Sequence, residues 1–347
     1  MKASIHKYEL SFREKAQTSR ETLTNRLVWY IKLQQNNSIG IGECAPLFGL
    51  SKETKEEVED MLQDIISDPD YFIKNLHLLD AIPSAKFALE TAFIDLQNGG
   101  IQKLYNNDFV AGKQGISING LIWMNDAKHM LNQIDKKLAE GFTCIKLKIG
   151  ALNFNKELEL IKHIRRHFSP EQITIRVDAN GGFNPEEVLV KLEQLASYQL
   201  HSIEQPIKAG NWAKLARLCE NSPLPIALDE ELIGINTSED KQLLLDLINP
   251  SFLVLKPSLH GGISGCDEWI KLAEERDINW WITSYLESNI GLNAIAQWAA
   301  SKALKGHQGL GTGQLFTNNI DSPLEIKGEK LFFNSNKNFN PDHLLPS

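Results

Sequence analysis

The sequence predicts an α/β protein in which a closed βα barrel follows an α+β capping unit. Three observations lead there. From Ile116 onward, short apolar runs alternate with amphipathic stretches, the rhythm of parallel strands joined by helices. Five residues that end such runs, Lys148, Asp178, Glu204, Asp229 and Lys256, are separated by 30, 26, 25 and 27 positions. That is about one strand, one helix and two loops, the repeat of a barrel of about 250 residues, and it would set all five around one rim. Before Ile116 the pattern is different: strand-like segments come first and helical ones after.

Taken in order, residues 6–12, 26–33 and 38–44 read as an antiparallel meander, the last strand broken by Gly40 and Gly42. The stretch 13–25, rich in Ser, Thr, Arg, Lys and Gln, suits a mobile surface loop or lid. Ser51 reads as a helix N-cap with Glu53 and Glu56 in the first turns, and 82–98 carries apolar spacings of three and four before Gly99 and Gly100. The barrel runs are 116–122, 144–149, 173–178, 202–204, 226–229, 252–256, 280–284 and a weak one at 307–311, a barrel's eight. Helical stretches such as 126–140, 155–167, 185–198 and 267–275 fit between them. The tail, 324–326 and 330–333, is expected to return and pair with the cap. The domains so drawn are 1–112, 113–315 and 316–347.

Composition narrows the class. With 347 residues and 42% hydrophobic content, the chain can bury a large core without disulfides. Its 36 Lys and Arg against 44 Asp and Glu give a net charge of -8, which argues against general attraction to nucleic acid or an anionic membrane. An anionic substrate must then be held by local positive charge. Cys44, Cys144, Cys219 and Cys266 stand singly, which suits thiols in a reducing compartment. The first residues carry no apolar leader core, and no run approaches 18 uncharged apolar residues, so a cytoplasmic protein is expected.

The candidate site rests on strand geometry. In Lys146-Leu147-Lys148 the two lysines share one face of a strand whose other face is apolar, so both ammonium groups point into the barrel. Crowding two cations near a divalent metal disfavours their protonation, which is what a lysine base needs near neutral pH. Asp178 ends Ile-Thr-Ile-Arg-Val-Asp, and Asn180 follows where it can orient a ligand or a lysine. Pro206 stops the strand after Glu204. Asp229 is followed by Glu230 and Glu231, and period two sets Glu230 on the opposite face, which favours Asp229 as the inward acid. Three oxygen ligands from three strands suit octahedral Mg²⁺, with Mn²⁺ as a substitute, and the lack of His or Cys partners disfavours zinc. Lys256, before Pro257, would face Lys148 across a bound substrate.

The set Lys-x-Lys, Asp, Glu, Asp, Lys on successive barrel strands resembles the enolase superfamily, in its muconate-lactonizing subgroup, along essentially the whole chain. The resemblance implies a (β/α)7β TIM-like barrel with an α+β capping domain. It also implies Lys148 as the base, Lys256 as the opposing catalytic lysine, and Asp178, Glu204 and Asp229 as metal ligands. Lys146 and Asn180 would meet a small-molecule carboxylate substrate, and the oligomeric state is left open. The segment Thr283-Ser284-Tyr285-Leu286-Glu287-Ser288 is similar to the seventh-strand segment of o-succinylbenzoate synthases, adding Ser284 to the substrate contacts. Those enzymes dehydrate 2-succinyl-6-hydroxy-2,4-cyclohexadiene-1-carboxylate in menaquinone biosynthesis, through proton removal beside a metal-bound carboxylate and an enediolate. The rivals are a dipeptide epimerase or N-acylamino acid racemase, and a muconate-type cycloisomerase. Dipeptide epimerases carry an Asp-x-Asp pair after the eighth strand, where this chain reads Gly309-Leu310-Gly311-Thr312-Gly313. At Gly311 it also departs from the many synthases that have aspartate there.

Overall fold

The computed structural model describes residues 1–17 and 22–339. Strands β1 (Lys2–Gln17), β2 (Thr22–Gln35) and β3 (Ser38–Cys44) form an antiparallel sheet in that order. Alternation along β2 explains why this sheet can join two bodies. Trp29, Ile31 and Leu33 pack among the cap helices, whereas Val28 and Tyr30 pack toward Ile290 and Phe316 on the barrel side. Helices α1 (Lys55–Ser67), α2 (Pro69–Lys74) and α3 (Pro83–Gln97) cover the first face. The glycines that seemed to break β3 let α3 approach: a Cβ on Gly40 would lie 2.0 Å from the Ala92 carbonyl oxygen, and one on Gly42 would lie 1.9 Å from that of Ala88.

Two expectations for the cap are corrected. The stretch read as a loop is largely a hairpin: after a register shift beyond Ser11, Ala16 pairs with Leu23 and Gln17 with Thr22, while residues 18–21 lie outside the described part. A backbone ladder needs no apolar side chains, so polarity is no sign of a loop. Helix α1 starts later than Ser51 suggested. The Thr54 hydroxyl accepts the Glu57 N–H (3.2 Å) and the Glu57 carboxylate accepts the Thr54 N–H (2.8 Å), a reciprocal cap. Ser51 instead accepts the Leu47 N–H at 3.2 Å.

After the short strand β4 (Ile116–Ser117), the barrel is built from β5 (Gly120–Ile122), β6 (Cys144–Lys148), β7 (Thr174–Asp178), β8 (Ser202–Glu204), β9 (Ile226–Leu228), β10 (Phe252–Leu255) and β11 (Asn279–Ile282). Strands β5 to β11 form one seven-stranded parallel sheet in chain order. The weak eighth run closes it through isolated bridges. Gln308 pairs with Ile118 and Gly309 with Thr283, and the Gly309 N–H donates to the Ile282 carbonyl at 2.8 Å. Outside lie α4 (Ala127–Ala139), α5 (Phe154–His167), α6 (Val188–Ala196), α7 (Trp212–Asn221), α8 (Ser238–Ile248), α9 (Gly262–Glu274) and α10 (Asn289–Ala299). The main apolar core fills the space between this ring and the strands.

The tail hairpin, β12 (Leu324–Lys327) and β13 (Lys330–Phe333), does not pair with the cap. It adds to β4, and its inward residues Leu331 and Phe333 join the barrel core. Cap pairing falls to the residues just before it: the Arg13 N–H donates to the Leu315 carbonyl (2.8 Å) and the Thr317 N–H to the Ser11 carbonyl (2.9 Å). No helix among the described residues is long and apolar enough to cross a membrane.

Candidate active site

The site is a consequence of register. Lys148 pairs with Asp178 and Asp178 with Glu204, so three charged side chains stand on one rung at the C-terminal ends of β6, β7 and β8. Ile145 and Leu147 are fully buried, which leaves Lys146 and Lys148 to enter the barrel as strand alternation requires. Asp229 and Lys256 follow the ends of β9 and β10.

Every one of these groups has a charged partner. The Lys146 ammonium donates to both carboxylate oxygens of Glu204 (2.8 and 2.6 Å) and lies 3.1 Å from Asp178. Lys148 donates to Asp178 (3.0 Å) and to the Asn180 side-chain oxygen (2.8 Å), and the Asn180 amide donates to Glu230 (3.0 Å). Lys256 is paired with Asp229. Asn180 thus links two charged groups, from a backbone conformation with φ +43°.

Burial makes these pairings strong and sets the titrations. For Lys146 and Lys256 burial opposes charging, but Asp178 and Glu204 beside the first, and Asp229 and Glu204 beside the second, outweigh it and hold both ammonium groups above the usual lysine range. At Lys146 the nearby carboxylates outweigh the lowering effect of the Lys256 charge. Burial likewise opposes ionisation of Asp178, yet Lys146 and Lys148 keep it well below the usual carboxylate range. Burial and the Asp178 charge push Glu204 up. Burial, with Asp229 and Asp178 adjacent, raises Glu230 to about 7.

A hard cation fits this donor set. Four buried acids supply only oxygen, and two of those oxygens, Asp229 Oδ1 and Glu230 Oε2, are buried without any hydrogen-bond partner. Among the described residues no three Asp, Glu, His or Cys side chains converge closely enough to enclose an ion as they stand, the other oxygens being held by ammonium groups or, for Asp178 Oδ1 and Glu230 Oε1, by N–H groups of Asn180.

A cavity of about 530 Å³ opens over the rung. Lys146, Lys148, Asp178, Asn180, Glu204 and Lys256 line it, as does Ser284, whose hydroxyl lies 2.6 Å from that of Thr312. Leu47, Phe48 and Leu50 from the cap contribute its apolar roof. Asp229 is fully buried behind this wall, and Glu230 is the residue that lines the cavity. Glu230 falls outside strand alternation because β9 ends at Leu228, and the chain turns at Asp229 (φ −127°, ψ −82°) into a short 3-10 turn. The run Asp-Glu-Glu was the available signal. Thr312 and Tyr285 are also lining residues that the sequence did not single out as ligand contacts.

Comparison with known proteins bears on what this cavity does. A family model described as Enolase C-terminal domain-like matches residues 129–331, and one described as MenC, N-terminal domain matches residues 1–96. An o-succinylbenzoate synthase of Desulfotalea psychrophila is 43% identical over 94% of this chain and 98% of its own length. An L-Ala-D/L-Glu epimerase of Bacillus subtilis is 25% identical over 77% of this chain and 75% of its own. The crystal structure of MenC from Desulfotalea psychrophila superposes with a TM-score of 0.85 at 41% identity, covering 96% of this chain and 99% of that one. A dipeptide epimerase from Enterococcus faecalis, complexed with Mg and the dipeptide L-Leu-L-Tyr, shares the fold with a TM-score of 0.82 at 20% identity, covering 96% of each chain.

Proposed function

The chain belongs to the enolase superfamily, in the o-succinylbenzoate synthase family, and from that membership we propose that it dehydrates 2-succinyl-6-hydroxy-2,4-cyclohexadiene-1-carboxylate to o-succinylbenzoate, a carbon–oxygen lyase step of menaquinone biosynthesis in the cytoplasm. The observation that carries this reading is 43% identity to a synthase across nearly the full length of both chains. Lys146, Lys148 and Lys256 lining one cavity support it.

In this reading Lys148, aimed by Asp178 and Asn180, takes the proton alpha to the substrate carboxylate. Lys146 faces the charge that gathers on that carboxylate. The C–O bond then breaks on the same side, the proton taken by Lys148 leaves with hydroxide as water, and the ring becomes aromatic. Lys256 holds the opposite side electrostatically. Mg²⁺, or Mn²⁺ in its place, would be held by Asp178, Glu204 and Asp229 and would supply Lewis-acid stabilisation of the developing negative charge.

The test is direct. Purified protein with Mg²⁺ should convert the cyclohexadiene to an aromatic product with a new ultraviolet band, stop when chelator is added and resume when Mg²⁺ is restored. Lys148 and Lys256 lining the same cavity favour one second reading, a dipeptide epimerase, since amines on both sides of a bound substrate would pass a proton through a planar intermediate. Absent turnover together with exchange of the alpha deuteron of dipeptides would establish that reading instead.

A further inference from the structure

Arg26, at the buried start of the apolar run of β2, has no part in the reaction described above, yet its guanidinium reaches the wall of the cavity. It is 3% exposed and donates to two backbone carbonyls, that of Ala45 in the cap and that of Tyr285 in the loop after β11. The same guanidinium lies 5.0 Å from the centre of the Tyr285 ring, and the Lys256 ammonium lies 5.9 Å from that centre. Tyr285 lines the cavity and is tied on further sides: its hydroxyl is 3.3 Å from that of Ser51, and its N–H donates to Glu287 at 2.7 Å. Glu287 in turn accepts from Ser258, two residues beyond Lys256. Burying a guanidinium costs several kcal/mol, and neutral donors could satisfy two carbonyls at less cost. Only a flat, forked cation can grip the Tyr285 carbonyl and face its ring together.

We propose that Arg26 is a positioning residue: through Tyr285 it fixes where the Lys256 ammonium stands at the cavity, so that the cap sets the geometry of the side opposite Lys148. This rests on the part given to Lys256 in the proposed dehydration.

A double-mutant cycle in the full-length protein with Mg²⁺ tests it. Arg26→Met and Tyr285→Leu should each lower kcat about tenfold while KM moves less than about threefold, and the double variant should lose about tenfold rather than a hundredfold. Multiplying losses, or an unchanged kcat in Arg26→Met, would overturn the proposal. If Arg26→Met does not fold, Arg26→Lys takes its place with the same expected loss, because one ammonium cannot fork between two carbonyls, and wild-type kcat in that variant would overturn it equally. Hydrogen exchange of the peptide containing Tyr285 and Ser288, in substrate-free protein, separates this claim from the functional one. Faster exchange in the Arg26 variant supports positioning even if the wild type fails to turn over the cyclohexadiene; unchanged exchange sinks it.

Discussion

Glu43 and Glu90, which the cap presents to the barrel, and the acids of the barrel mouth are alike in burial and opposite in how they are satisfied. Glu43 accepts N–H groups from Ser288 and Gly291 (both 2.7 Å) and the Ser288 hydroxyl (2.6 Å) at the start of α10. Glu90 accepts those of Ile263 (2.6 Å) and Ser264 (3.2 Å) at the start of α9. Both oxygens of each are used, and the donors, the Ser288 hydroxyl apart, are backbone groups at helix N-termini that cannot swing away. At the mouth most donors are ammonium groups on flexible stems, joined by N–H groups of Asn180, and Asp229 and Glu230 each keep an unpartnered oxygen. Fixed dipoles weld one body to another. Movable cations and spare oxygens leave a site able to exchange partners, which is what binding a metal and a carboxylate requires.

The comparison breaks most visibly at the mouth. Lys148→Ala should lower turnover of the cyclohexadiene by about a thousandfold or more, with the thermal melt little changed, since Asp178 keeps Lys146. Most activity surviving in that variant would remove Lys148 from the chemistry. Glu204→Gln comes next: it should cost about a hundredfold in activity and weaken Mg²⁺ binding measured by titration calorimetry. Unchanged ion affinity would show that the mouth acids are structural after all, like those of the cap.

The two sets of acids also differ in how far the sequence reveals them. The mouth was legible because barrel strands repeat at a nearly constant interval and end at one rim, so Lys148, Asp178, Glu204, Asp229 and Lys256 could be aligned by spacing alone. Glu230 escaped because alternation holds only while a strand lasts. Glu43 and Glu90 were illegible for a different reason: their partners lie at 288–291 and 263–264, and nothing local marks a carboxylate destined for a distant helix end. The eighth barrel run was faint because bridging needs only Gln308 and Gly309, too few residues to build an apolar pattern. The tail hairpin was legible as strands but not in its partner, since Leu331 and Phe333 would suit any apolar surface.

Among the cap acids, Glu90→Ala should lower stability to urea by about 3 kcal/mol, the loss of a charged acceptor for two N–H groups at the start of α9. Its kcat should stay within about threefold of wild type, because Glu90 does not line the cavity. The close fit there is visible in Gly262, at φ +76°, where a Cβ would stand 2.3 Å from the Glu90 carboxylate. A stability loss below about 1 kcal/mol would mean that the weld is made elsewhere.

Glu43 offers the smallest effect and the sharpest test of what fixed dipoles do to a buried acid. Burial raises its carboxyl from 4.5 to about 7; the Ser288 hydroxyl and N–H pull the other way, and the neighbouring Glu287 charge adds to the rise. A raised acid means that the folded state holds its proton more tightly than the unfolded chain does. Its stabilising contribution is therefore whole below about 4.5 and drains away as pH climbs through about 7. Between pH 5 and 7 this one group should cost the wild type about 2 kcal/mol. Asp95, raised by burial to about 6, titrates in the same sense, so the slope of the wild type alone does not isolate Glu43. The difference between wild type and Glu43→Gln does: urea denaturation of both at pH 5 and pH 7 should show the wild type losing about 2 kcal/mol relative to the variant. Parallel profiles would mean that the N–H groups of α10 keep Glu43 ionised throughout. The cap acids would then be permanent charges, and the contrast with the mouth would reduce to the mobility of the donors alone.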